Sequence, residues 1–196
     1  MAKLLYQGHG SYRITTGEGK VIYVDPFAGE GYDLPADGVL ITHGHYDHNK
    51  LDLVTQKPGC QVITHQEALE GGRYRTFPLC GTEVEAVPAY NKNHKKEECV
   101  GYILRVDGVT IYAAGDTSTT DAMAGFAARH LDYALLCMDG VYNMDREEAQ
   151  KCARLIGAKH NIPIHMKPGG LFDEEMANAF DAPGKLVVRP GEEIQL

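Results

Sequence analysis

The sequence contains no tryptophan, and only 8% of its 196 residues are aromatic. Its five cysteines are an odd number, and none of them forms a Cys-x-x-Cys pair. This usage argues against a disulfide framework and is typical of a reducing compartment. No apolar run approaches the length of a membrane span, and the first residues lack the apolar stretch of a signal peptide. We therefore expect a cytoplasmic protein with no membrane partner.

Basic residues are also in short supply, because 19 Lys and Arg stand against 27 Asp and Glu. The resulting charge of −8 repels phosphate backbones, so a nucleic acid is not expected as a partner. With 43% hydrophobic residues and a mean hydropathy of −0.30, the composition excludes a disordered chain and a coiled coil. The length fits a single domain over residues 1–196.

Short β-branched and aromatic runs, separated by glycine-rich turns, predict many strands. Asp107-Gly108 stands between two of these runs and is a strong signal for a two-residue hairpin. The predicted strands are Lys3–Tyr6, Ser11–Thr15, Val21–Val24, Val39–Thr42, Gln61–Thr64, Glu83–Val87, Val100–Val106, Val109–Ala114, Tyr133–Cys137, Ile162–His165, Leu186–Arg189 and Glu193–Leu196.

Helices are predicted mainly in the second half of the chain. Asp145–Ile156 has an apolar stripe at helical spacing, a start resembling a capping box through Glu148, and a stop at Gly157. Weaker signals predict helices over Thr119–Arg129 and Asp173–Phe180. Strands followed by alternating strands and helices predict one α/β domain, in which two packed sheets carry helices on the outside.

Four candidate metal ligands stand within six residues, directly after a buried-looking strand. They belong to the segment Thr42-His43-Gly44-His45-Tyr46-Asp47-His48. His43 and His45 can project toward one ion, and Asp47 and His48 can face a second ion as the chain turns. Imidazole and carboxylate donors suit zinc, iron or manganese. The spacing predicts a metal centre at the end of this strand.

This motif resembles the signature of the metallo-β-lactamase superfamily, and later segments extend the resemblance to most of the chain. Gly115-Asp116-Thr117 is similar to the family segment whose Asp bridges two metals. His165, after Ile162-Pro163-Ile164, looks like the last ligand of the family, and Asp25 resembles an early Asp that supports the metal loop. The resemblance implies a four-layer α-β-β-α sandwich with two mixed sheets and outer helices.

Two further segments suggest a branch of small hydrolases within the superfamily. They are Gly8-His9-Gly10-Ser11 and Tyr142-Asn143-Met144-Asp145. Through them the chain resembles proteins near the ascorbate-6-phosphate lactonase. Three roles are open for His9, which can line the pocket, hydrogen-bond a ligating group or be purely structural.

The sequence departs from the family pattern at one ligand. After Glu83–Val87, the position nearest the strand end holds Asn91, and His94 is the only histidine of the segment. An amide oxygen is a poor zinc ligand beside imidazole, so we expect His94 to ligate, with Asn91 as the alternative.

The resemblance then implies two divalent ions, with zinc preferred and manganese or iron as alternatives. His43, His45 and His94 are assigned to one ion, Asp47, His48 and His165 to the other, and Asp116 to both. Such a pair of ions activates a shared water as hydroxide, which attacks a carbonyl or phosphoryl centre, while Asp47 helps to orient the nucleophile. The expected enzyme is a hydrolase of an ester, lactone, amide or phosphoester.

Pocket-lining residues are expected on the loops that border the metals in this fold. They are Tyr90, Asn91, Tyr142, Asn143 and Lys167. A small anionic metabolite is the expected substrate, from family analogy together with four lysines near the site: Lys92, Lys95, Lys96 and Lys167.

Two other functions stay open at this point. The same ligands can hold iron for redox chemistry, and Asn91 at an expected ligand position is consistent with a metal-binding protein that has lost catalysis. A homo-oligomer that completes the pocket with a neighbouring subunit is also open.

Overall fold

A computed structural model describes residues 1–196 and contains two six-stranded sheets. The first sheet has the order β14-β1-β2-β3-β4-β5. Its strands are β1 Lys3–Gly8, β2 Ser11–Thr15, β3 Val21–Val24, β4 Ala36–Leu40, β5 Gln56–Ile63 and β14 Glu193–Gln195. The second sheet has the order β8-β9-β10-β11-β12-β13. Its strands are β8 Thr76–Leu79, β9 Thr82–Pro88, β10 Val100–Val106, β11 Val109–Ala113, β12 Tyr133–Cys137 and β13 His160–Ile164.

The two sheets share one pattern of pairing. In each sheet, three antiparallel pairings are followed by two parallel ones, which join β3, β4 and β5 in the first sheet and β11, β12 and β13 in the second. Because parallel strands end at the same edge of a sheet, the segments that follow them are brought together. This edge is where the polar motifs of the sequence are found.

The main core lies between the sheets, where 22 buried residues pack together, including Tyr6, Tyr102 and Leu104. A second cluster of 20 buried residues lies between the second sheet and its helices. The outer face of the first sheet has only six buried residues in its cluster, covered in part by Tyr32 and Leu51. The fold is therefore the predicted pair of mixed sheets with helices outside, and the longer helices lie against the second sheet.

Three α-helices are present: α1 His65–Ala68, α2 Arg146–Ile156 and α3 Glu174–Ala179. The start of α2 is capped by Asp145, whose carboxylate accepts a hydrogen bond from the Glu148 amide, and Gly157 ends it at a φ of 68°. The capping box is incomplete, because the Glu148 carboxylate accepts from the Thr119 amide instead. None of the helices has the length and apolar character that a membrane crossing requires.

Several predicted elements need correction. The weaker helix over Thr119–Arg129 is a 3-10 helix, Asp121–Arg129, and a second 3-10 helix spans Leu51–Leu53. Leu186–Arg189 forms no strand, since this segment meets β13 only through a single bridge between Lys185 and Asn161. Predicted bounds also shift by several residues elsewhere, most of all at β5, which begins at Gln56.

Two short features escaped prediction because their sequences lack a strand pattern. β8 contains Pro78, which an edge strand tolerates but a central strand does not. Leu69–Glu70 (β6) and Arg73–Tyr74 (β7) form a two-stranded hairpin around two glycines with positive φ angles. The predicted hairpin at Asp107-Gly108 is confirmed, and both of its turn residues have positive φ.

Candidate metal centre

The candidate centre lies at the carboxyl edges of both sheets. Asp25 follows β3 and the histidine-rich segment follows β4, while Asp116 follows β11 and His165 follows β13. The two sheets are joined here by a backbone hydrogen bond of 2.8 Å from the His165 amide to the His9 carbonyl. Asp25, His9 and His165 all have φ angles near +50°, between 45° and 56°, which are uncommon for residues other than glycine. The tertiary fold holds these turns in place against that preference.

A first group of donor atoms comes from His43, His45 and His94, whose ligand atoms lie within 4.8 Å of one another. The Nε2 atom of His94 is 3.3 Å from Oδ2 of Asp116. Asn91 lies behind His94 and accepts a 2.9 Å hydrogen bond from its Nδ1 atom. The structure therefore places His94, with Asn91 as its hydrogen-bond partner, at the position that the sequence left between the two residues.

A second group comes from His9, Asp47, His48 and His165, again with ligand atoms within 4.8 Å. Asp116 lies between the groups: its Oδ1 is 3.3 Å from His48 Nε2, and its Oδ2 is 3.4 Å from His165 Nε2. Every residue assigned as a ligand from the sequence is thus brought to one place. Their role as ligands stays a prediction.

The bonding state of these side chains fits a divalent cation. Five of the facing atoms are buried and have no hydrogen-bond partner, although such groups inside proteins are nearly always paired. They are Nε2 of His43, His48, His94 and His165, and Oδ1 of Asp116. Imidazole nitrogens and carboxylate oxygens are the donors that zinc, manganese and iron accept. The residues present therefore match the requirements of a metal centre.

Asp25 organises two of the histidines, in the supporting role expected for it. Its Oδ2 accepts hydrogen bonds from His48 Nδ1 at 2.9 Å and from the Thr42 hydroxyl at 2.7 Å. The Thr42 oxygen lies 3.0 Å from His43 Nδ1 and can accept that proton, since its own proton points to Asp25. With these protons on Nδ1, both imidazoles can offer an unprotonated Nε2 to a bound cation.

His9 and Asp139 support the second group in the same way. Nε2 of His9 is 3.1 Å from Oδ2 of Asp47, while its Nδ1 is 3.0 Å from the Gly170 carbonyl. Nδ1 of His165 is 3.2 Å from Oδ2 of Asp139. His9 therefore contacts a candidate ligand as well as adding a donor atom to the group. This position agrees with the hydrogen-bonding role expected for it, whereas the pocket-lining role does not fit a side chain that is fully buried.

Electrostatics of the metal-free site follow from this crowding. Burial alone would raise the pKa of Asp116, but the charges of His48 and His165 hold it well below its usual range. Burial would lower the pKa of His165, but Asp116 and Asp139 raise it to about 10. In contrast, burial lowers the pKa of His43, and the neighbouring His48 lowers it further. The carboxylates of the second group thus favour positive charge beside them, whereas the surroundings of His43 disfavour it.

A cavity of about 470 Å³ opens over the donor atoms, which is within the usual range for small-molecule sites. Its lining consists of His45, Tyr46, Asp47, Asn93, His94, Asp116, Tyr142, His165, Pro168 and Gly169. Of the five residues expected to line the pocket, only Tyr142 does so. Tyr90, Asn91 and Asn143 border a neighbouring depression instead, and the exposed Lys167 lies beside Gly170.

Asn143 contacts the centre from behind rather than from the cavity. Its amide group donates 2.8 Å hydrogen bonds to Oδ2 of Asp116 and to Oδ2 of Asp139. Its own Oδ1 accepts a 3.1 Å hydrogen bond from Asn91. The two asparagines expected to contact substrate therefore position candidate ligands.

Sequence reasoning missed Asp139, Thr42 and Asn93. Asp139 comes two residues after the buried strand β12, just as Asp25 comes directly after β3. A carboxylate soon after a buried strand was the available signal, because neighbouring strand ends meet at one edge of the sheet. Nothing comparable marks Asn93, which lies in a polar segment rich in lysine.

Comparison with known proteins agrees with this geometry. A family model described as the beta-lactamase superfamily domain matches residues 3–165. A UPF0173 metal-dependent hydrolase from Pyrococcus furiosus is 29% identical, with the alignment covering all of both chains. Another from Methanoregula boonei is 33% identical over 83% of this chain and 81% of the relative.

The fold has a solved counterpart in Igni18, a metallo hydrolase from the archaeon Ignicoccus hospitalis. The two structures superpose with a TM-score of 0.76 at 24% identity, over 98% of this chain and 97% of the other. The resemblance to the ascorbate-6-phosphate lactonase branch stays a prediction. Family model, full-length relatives and fold agree, and the chain belongs to the metallo-β-lactamase superfamily.

Proposed function

We propose that this protein is a hydrolase that uses two divalent metal ions to cleave an ester, lactone, amide or phosphoester of a small metabolite. Zinc is the preferred ion, with manganese and iron as alternatives. One observation carries the proposal: five buried donor atoms without hydrogen-bond partners converge around Asp116, next to a cavity large enough for a small molecule.

The residues of the centre would have two roles, which are to bind the ions and to orient the nucleophile. When bound, a pair of divalent ions lowers the pKa of a shared water toward neutrality and stabilises the negative charge that develops on the reacting group. His43, His45 and His94 would hold one ion, Asp47, His48 and His165 the other, and Asp116 would contact both.

Asp47 has a second role, because its carboxylate lines the cavity. Burial raises its pKa, but the hydrogen bond from His9 and the charge of His48 outweigh this effect and keep the carboxyl ionised. An ionised carboxylate in this position can orient the attacking water and accept its proton.

The expected anionic substrate depended on four lysines, and none of them lines the cavity. A negative charge on the substrate would therefore be bound at the reacting group, by the centre itself. A negative charge on the part of the substrate away from the reacting bond would have no lysine or arginine among the lining residues to pair with.

Elemental analysis of protein purified without added metal, followed by hydrolysis assays, tests the proposal. Close to two zinc or manganese ions per chain, with hydrolysis that chelation abolishes and metal restores, is the expected result. Iron with turnover that requires dioxygen would favour the redox alternative. Bound metal without hydrolysis of esters, lactones, amides or phosphoesters would favour a binding protein, and absence of metal after supplementation would contradict the proposal.

A further inference from the structure

Two tyrosines at the cavity are exposed to an extent that is unusual for this protein. Tyr46 and Tyr142 are 64% and 52% exposed, although five of the eleven tyrosines are among the largest fully buried side chains. Both line the cavity above the candidate metal centre. Large exposed aromatic side chains beside a cavity are typical of a binding surface, since they lose apolar contact with water only when a ligand covers them.

The backbone of Tyr142 is fixed by the residues that support the metal ligands. Its amide donates a 2.7 Å hydrogen bond to Oδ1 of Asp139. Its carbonyl accepts hydrogen bonds from the side-chain amides of Asn91 at 3.0 Å and Asn93 at 2.9 Å. Because the backbone is held in this way, the point from which the ring projects is fixed before a ligand arrives, which lowers the entropy cost of binding.

Tyr46 is held from the other end of the site. It lies between the candidate ligands His45 and Asp47, and its ring packs edge-on against Phe27 with centroids 5.9 Å apart. Phe27 in turn contacts the ring of His9, with centroids 4.9 Å apart. Both tyrosines are therefore tied to the metal centre and present their rings to the cavity.

The remaining lining is polar but carries no cationic side chain of lysine or arginine. Away from the donor atoms, the lining offers the neutral amide of Asn93, together with Pro168 and Gly169. A second anionic group on a ligand would lose its water without gaining a partner charge. An uncharged ring would gain contact with the two tyrosines.

We propose that the cavity binds a substrate whose part distant from the reacting bond is an uncharged aromatic or planar apolar group, seated against Tyr46 and Tyr142. The inference rests on the proposed hydrolase function only for the existence of a reacting bond. The aromatic subsite itself is argued from the two tyrosines. It makes the two tyrosines the residues that determine specificity.

Three ethyl esters with the same leaving group test the preference in the metal-loaded protein. They are ethyl 3-phenylpropanoate, ethyl hexanoate and monoethyl adipate. Their hydrolysis is measured as the acid released at constant pH. We expect kcat/KM to be highest for the phenyl ester, about tenfold above the adipate, with most of the difference in KM.

Substitutions then assign the preference to the two rings. Tyr46→Ala and Tyr142→Ala should each reduce the preference for the phenyl ester about fivefold, whereas Tyr142→Phe should retain it. Tyr133→Ala is the matched control, because Tyr133 lies at the start of β12 and stacks on His160, outside the cavity lining.

Ligand binding without metal separates this inference from the hydrolase proposal. Saturation-transfer NMR with 3-phenylpropanamide on chelator-treated protein should show transfer to the phenyl protons, reduced in both alanine variants and unchanged in Tyr133→Ala. Transfer without hydrolysis of any of the three esters would leave the aromatic subsite standing and remove simple carboxylic esters from the bonds proposed for the hydrolase. Equal hydrolysis of all three esters, a preference for the adipate, or absence of transfer would overturn the aromatic subsite.

Discussion

The two groups of donor atoms differ in what holds them. In the second group, His48 and His165 each face a carboxylate, from Asp25 and Asp139, and both side chains are buried. In the first group, His94 is supported by the neutral amide of Asn91, and His45 is exposed, with no hydrogen bond from its ring to the chain.

This difference has a chemical consequence. A carboxylate that accepts the distal proton of an imidazole makes the other nitrogen a better donor and fixes the ring, and a neutral amide does so less strongly. We therefore expect the second group to hold its ion more tightly than the first. We expect metal to exchange on the open side of the centre, where His45 lines the cavity.

Removal of metal should give the largest effect. An ion bound only to the folded state stabilises it in proportion to its saturation, by about 4 kcal/mol at a thousandfold excess over Kd. Stripping the centre should lower Tm by about 10 °C in a chain of this length, as measured by calorimetry.

A graded chelator titration also tests the order of release. One ion should leave before the other, and the ion that leaves first should be the one held by His94, the ligand that Asn91 supports. Simultaneous release of both ions would remove the difference between the groups, and an unchanged Tm would contradict tight binding altogether.

Asp25→Asn tests the expectation that carboxylate support makes the second group hold its ion more tightly. The substitution removes the charge that supports His48 and, through Thr42, His43. We expect metal affinity to fall about 10- to 100-fold, as measured by competition with a chromophoric chelator. Asp37→Asn is the control, because Asp37 pairs with Lys57 and Lys20 at the other end of β4. An equal loss in both variants would indicate a general effect on folding.

Asn91→Ala should act on the first group directly and on the second only through the hydrogen bond of Asn91 to Asn143, so the first group should be affected more. The variant loses the acceptor for His94 Nδ1, so affinity for the more weakly held ion should fall about tenfold. Electronic spectra of the cobalt-substituted protein report the two groups separately. Asn178→Ala, on the exposed face of α3, provides a matched control. Loss of the tightly held ion in Asn91→Ala would show that the groups are not separable.

The smallest effect concerns pH in the metal-free protein. His165 has its pKa raised to about 10 in the folded state, so its contribution to stability is complete below its ordinary pKa near 6.5 and is lost as pH rises toward 10. Tm of the metal-free protein should therefore decline between pH 7 and pH 10. The decline should be smaller in His165→Gln but not absent, because Asp116 and Asp25 also raise the pKa of the buried His48. An undiminished decline in that variant would assign the effect to another group.

Sequence patterns predicted most of the fold where apolar periodicity was strong. The strands Ser11–Thr15 and Val100–Val106 were placed to the residue, and α2 was placed with both of its ends. Prediction failed at Leu186–Arg189 and at β8, where pairing depends on which neighbour the chain meets. A strand needs a partner that is distant in sequence, and local propensity says nothing about that partner.

By itself, the sequence identified a set of candidate metal donors, because His43, His45, Asp47 and His48 lie close together in the chain and no packing requirement calls for such a run. It also determined the alternation of strands and helices, since burial of one face imposes a period that can be read locally. The tertiary structure decided that His94 rather than Asn91 faces the donor atoms, that Asp139 and Asn143 support the ligands, and that Tyr142 lines the cavity. These residues meet because strands of the two sheets end at one edge, which is a property of how the strands pair and not of any segment alone.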